Sequence, residues 1–84
     1  MKYCLITFRS VTPAQRGEHV LRRAGIDCTM SRTPKKMEEL GCGYSLRLRP
    51  VDGAGAVSIL RQQQISYRKV YLLDDSGRME EMDI

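Results

Sequence analysis

The segment "GCGYSLRLR", Gly41 to Arg49, sets one cysteine between two glycines. A cysteine reacts as its thiolate, so access and nearby positive charge decide its chemistry. Gly41 and Gly43 have no side chains, which lets a second molecule come close to the Cys42 sulfur. Arg32, Lys35 and Lys36 lie just upstream and would favour the anion. The other two cysteines, Cys4 and Cys28, sit inside apolar runs. The single histidine, His19, falls on the side of its helix away from the apolar stripe. His19 is read as a surface residue, with a thiol–imidazole pair to Cys42 the lesser reading; without that pair, thiol proteolysis or acyl transfer would lack its proton acceptor. A thiol that takes up an atom and hands it on needs no base. It needs a thiolate, access and a partner, and its protein is a carrier without turnover of its own.

The chain that must position this thiol is short. Its 84 residues make one domain with a thin core. A hydrophobic content of 42% and a charged content of 29% describe a globular chain and exclude a disordered one. The net charge of +4 is uneven: residues 74–84 hold five acids and one base, which leaves residues 1–73 at +8. A body of that sign favours anionic partners. No C-x-x-C or C-x-x-H spacing occurs, so a zinc site is not expected, and no cofactor is expected. The opening apolar run is too short for a signal peptide, and no stretch could span a membrane. The expected location is the cytoplasm, with the thiols reduced.

Patterning places the elements. Tyr3 to Phe8 reads as a strand. Thr12 is the expected N-cap of a first helix, with Pro13 at its first position. Ala14, Gly17, Val20, Leu21 and Ala24 share its buried stripe, Arg16, His19 and Arg23 lie opposite, and Gly25 ends it. Ile26 to Met30 alternates as a second strand, followed by a loop over 31–42. Tyr44 to Arg49 is the clearest alternation, with Tyr44, Leu46 and Leu48 on one face and Ser45, Arg47 and Arg49 on the other. Pro50 stops it. Asp52 is the expected cap of a second helix, which explains "DGAGAVS" more simply than a phosphate-cradling turn does. Tyr67 to Leu73 is the last strand, and 74–84 is read as a flexible acidic tail.

The order β-α-β-β-α-β, with right-handed crossovers, predicts an α+β fold: a ferredoxin-like sandwich with antiparallel sheet order 4-1-3-2 and both helices on one face. Cys4, Ile6, Phe8, Cys28, Met30, Leu46 and Leu48 would face the helices. Tyr3, Leu5, Arg47, Arg49, Lys69 and Tyr71 would lie on the open face. This topology brings Cys42 to the start of the first helix, where Thr12 and the amides near Ala14 could stabilise a thiolate. Arg32, Lys35 and Lys36 would dock an acidic donor.

Residues 3–73 resemble a family of small bacterial selenium/sulfur carrier-like proteins. The likeness rests on "YCLITF" followed by Ser10, "LRRAGI" at the end of the first helix, Thr33-Pro34, and "CGYSLRL" from Cys42 to Leu48. "ELG" departs from the small hydroxyl residues expected before the cysteine. The resemblance implies that Cys42 is the carrier thiol, receiving sulfur or selenium from a donor enzyme for delivery to an acceptor protein. Two other readings use the open face. Tyr3, Leu5, Tyr71 and Leu73 form an apolar strip suited to protein interaction, including a homodimer. Arg47 and Arg49 beside Tyr3 suit single-stranded nucleic acid, the lesser reading because no outward aromatic pair stands on the third strand.

Overall fold

Tyr3–Phe8 forms strand β1, whose aromatic and β-branched members suit an extended chain. Every residue from Cys4 to Phe8 is buried, as befits a strand with neighbours on both sides. The structure, a computed structural model, describes residues 2–32, 43–76 and 78–82. Helix α1 spans Val11–Arg23, β2 Cys28–Arg32, β3 Tyr44–Leu48, α2 Gly53–Gln62, β4 Val70–Leu73 and β5 Met79–Glu81. A 3-10 turn at Pro50–Asp52 leads into α2.

The described chain is a small α+β fold with one antiparallel five-stranded sheet, ordered β2-β3-β1-β4-β5. The four-strand ferredoxin-like arrangement, 4-1-3-2, is therefore not matched in strand count or full order. Read from its other edge the sheet runs 5-4-1-3-2, and the extra strand comes from the acidic segment 74–84, read above as a flexible tail. The turn into β5 is made by Asp74, whose carboxylate accepts bonds from the Ser76 hydroxyl at 2.6 Å and the Ser76 and Arg78 amides at 3.0 Å. That arrangement lets the chain reverse, and Leu72 then pairs with Glu80.

Both helices lie over one sheet face. Ala14, Gly17 and Leu21 bury one stripe of α1, and Ala56, Val57 and Leu60 one stripe of α2. They meet Cys4, Ile6, Phe8, Cys28, Leu46 and Leu48 in the main core, with Met30 and Tyr44 packed partly against it. Gly17 lets the layers approach: a Cβ there would stand 3.2–3.3 Å from Leu46, Leu60 and Phe8.

The two helices end alike. The Ile26 amide donates to the Leu21 carbonyl and the Gly25 amide to that of Arg22, closing a Schellman motif with Gly25 at φ 87°. Ile65 and Gln64 do the same to Leu60 and Arg61, with Gln64 at φ 57°. "LRRAGI" and "LRQQQI" are thus one device used twice. It also explains why β2 begins at Cys28 and not at Ile26: the Ile26 amide is already spent on the helix end.

Candidate functional site at the head of helix one

Cys42, Gly41, Lys35 and Lys36 lie outside the described residues. What the structure provides is the frame on either side of them. Gly43 is buried and directly precedes β3. Tyr44 pairs with Phe8 on one side and with Arg32 on the other. Arg32 and Gly43 therefore stand at the end of the sheet where β1 passes through Arg9 and Ser10 into α1. The exposed Arg32 already takes part in an interaction there.

The expected cap at Thr12 is not found. Ser10 occupies the N-cap position with extended backbone, and its side chain makes no capping bond. Helical geometry begins at Val11, so Thr12 sits exposed in the first turn and Pro13 at the third position. Pro13 has no N–H to lose there. Ala14 is fully buried by its methyl group, and only its backbone amide belongs to the helix head. Asp52 likewise stands at the N-cap of α2 without capping it. Its carboxylate instead accepts a bond from Arg49 Nε at 3.1 Å. The Arg49 side chain stays well exposed in this pair, and Arg49 lines one cavity together with Tyr3 and Arg47.

The face away from the helices holds a second cluster of Leu5, Tyr71 and Leu73, with Tyr3 packed against it. Arg47 lies over the Tyr3 ring, 4.0 Å from its centroid. The strip is less open than expected: Tyr71 is 8% exposed and Leu5 3%. The physical reason is β5, which makes β4 an interior strand and gives Tyr71 and Leu73 neighbours on both sides. A stacking platform for bases is not presented by these residues.

The two described cysteines are free thiols in poor positions for chemistry. Cys4 is fully buried, and burial pushes its pKa up to about 11. Cys28 is also raised, first by burial and then by the Glu18 carboxylate. A raised pKa leaves almost no thiolate near neutrality. His19 is exposed on α1, as its helical position predicts. Among the described residues, no group of three His, Cys, Asp or Glu side chains could hold a metal ion. No helix among them is long and apolar enough to cross a membrane.

One group was missed from sequence. Arg9, Arg68 and Lys69 line a common cleft at the head of α1. The adjacent cations of "RKV" are visible in the sequence, but strict alternation assigns them to opposite faces. In the structure β4 starts at Val70 and not at Tyr67, because Arg68 and Lys69 together oppose the single residue Thr7. Thr7 accepts the Arg68 amide on its carbonyl at 2.7 Å and donates its own amide to Lys69 at 2.9 Å. Its hydroxyl accepts the Lys69 amide at 3.1 Å. Two residues facing one make a β-bulge.

Taken together, the fold is a two-layer domain that sets two helices over a sheet and gathers basic residues at one sheet end. Residues 3–72 match the family described as "Putative Se/S carrier protein-like", and the chain belongs to that family. A comparison with curated proteins finds no match.

Proposed function

We propose that this protein carries sulfur or selenium on Cys42. The observation that carries the reading is the family match, which runs across Cys42 and both flanking strands. The burial of Cys4 and Cys28 supports it, since neither can serve as an accessible thiolate. The Cys42 thiolate attacks the outer atom of a donor persulfide, R–S–SH, or of its selenium analogue, R–S–SeH. A bond forms from the Cys42 sulfur to that outer atom, and the donor's bond to it breaks. The donor leaves as the thiolate R–S⁻, while the transferred atom keeps its proton, so nothing is oxidised or reduced overall. A second thiolate, on the acceptor, repeats the exchange. Neither step requires a base, in keeping with the lone and exposed His19. Arg32, Lys35 and Lys36 form the docking segment for an acidic donor, and the helix head with Thr12, Ala14, Gly41 and Gly43 stabilises the anion.

Incubation with a cysteine desulfurase and cysteine, followed by mass spectrometry, tests this. Cys42 gains a sulfur atom and Cys4 and Cys28 do not; the Cys42→Ser chain gains none. If Cys42 stays unmodified while an established carrier in the same reaction is loaded, the proposal fails. The nucleic-acid reading is not favoured, because Tyr71 is buried and Arg47 covers a face of Tyr3.

A further inference from the structure

The cleft at the head of α1 has a volume of about 550 Å³. Arg9, Ser10 and Pro13 form one wall, and Ser66 to Lys69 the other. Clefts of roughly 300–1,000 Å³ accommodate small organic ligands. Three cations line this one, and none of its described lining residues is a carboxylate. The carrier chemistry uses none of Arg9, Arg68 or Lys69.

Like charges are not gathered without cost. Regular alternation along β4 would have parted Arg68 from Lys69, yet the bulge on Thr7 brings both to the same cleft. Thr7 is itself buried, and its hydroxyl satisfies the Lys69 amide that the bulge would otherwise leave without a partner. Arg9 is exposed and reaches the cleft from the opposite side. Arg68 and Lys69 each already take part in interactions, Lys69 with Glu81 at 3.3 Å between well-exposed side chains, where such a pair holds weakly, so a doubly charged ligand has to compete with existing partners. Guanidinium groups match tetrahedral oxyanions through paired N–H donors. Pro13 and the ring of Tyr67 add apolar wall beside the cations, and the Tyr67 hydroxyl is already bonded to Arg61.

We propose that this cleft binds a small phosphorylated molecule, its phosphoryl group held by Arg9, Arg68 and Lys69 and its organic part set against Pro13 and Tyr67. Three cations suit the dianion of a phosphomonoester better than a single carboxylate. A cleft confined between two short segments suits a small molecule better than a long polyanion.

The test is an amide NMR titration of the whole protein with four probes: inorganic phosphate, adenosine monophosphate, adenosine and a short acidic peptide. Phosphate and the nucleotide are expected to shift the amides of Arg9, Ser10 and residues 66–69 saturably, and adenosine is not. Arg9→Gln and Arg68→Gln are each expected to weaken binding roughly tenfold, the size of one lost charge-assisted bond. The same spectra report whether each variant is folded. The proposal is overturned if neither phosphate probe gives a saturable shift, if adenosine matches the nucleotide, or if both folded variants bind like the parent. A saturable response to an acidic peptide alone would also overturn it and would make the cleft a protein-docking site. The readout is binding, so it stands or falls apart from sulfur transfer.

Discussion

Cys4 shows how far a single residue's chemistry is set by its surroundings. It lies under α2, and a Cβ on Gly53 would stand 3.2 Å from its sulfur. Burial raises its pKa from 9.0 to about 11, so the folded state prefers the neutral thiol. That preference contributes stability fully below the unfolded pKa and loses it as pH climbs from about 9 to about 11. The contribution is at most about 3 kcal/mol. Urea midpoints followed over this range should fall less steeply for Cys4→Val than for the parent; equal slopes would show that Cys4 does not titrate with unfolding. Its burial, like that of Cys28, was legible from the apolar runs around it. The N-cap position at Ser10 in place of Thr12 was not, because it depends on where the chain leaves β1, and Val11 is already helical.

At the scale of elements, the repeated helix ending is the most informative feature. Gly25 and Gln64 occupy equivalent left-handed positions, but only the first is a glycine. A residue with a Cβ pays strain in that conformation. Gln64→Gly should raise stability by about 0.5–1 kcal/mol in urea denaturation, with Gln63→Gly giving no such gain. A loss at Gln64 would mean that its side chain makes a contact worth more than the strain. Gly25 announced the first helix end in the sequence. The second was hidden, because glutamine carries no turn signal and only the paired bonds to Leu60 and Arg61 reveal it.

For the molecule as a whole, β5 changes the sheet's character. It covers the edge of β4, pairs Glu81 with Lys69 at 3.3 Å, and places Met82 where its amide donates to the Val70 carbonyl at 2.7 Å. A chain ending at Leu73 would leave β4 as an apolar edge, with Tyr71 and Leu73 uncovered on one side. Such edges associate. The truncated chain is expected to lose stability by about 1–3 kcal/mol and to form dimers or larger species in light scattering where the parent gives one smaller mass. Unchanged mass and midpoint would show that β5 contributes nothing.

The local patterns, by themselves, determined the two helices, the inward positions of Cys4, Ile6, Phe8, Leu46 and Leu48, and the choice of Cys42 as candidate thiol. They could do so because periods of two and 3.6 residues report directly on which side chains must leave water. Tertiary structure alone decided the fifth strand, the pairing of Arg49 with Asp52, and the gathering of Arg9, Arg68 and Lys69. A short acidic strand forms only against an edge already in place, and a bulge exists only relative to its partner strand. Both are properties of pairing between distant segments, which no window of neighbouring residues contains.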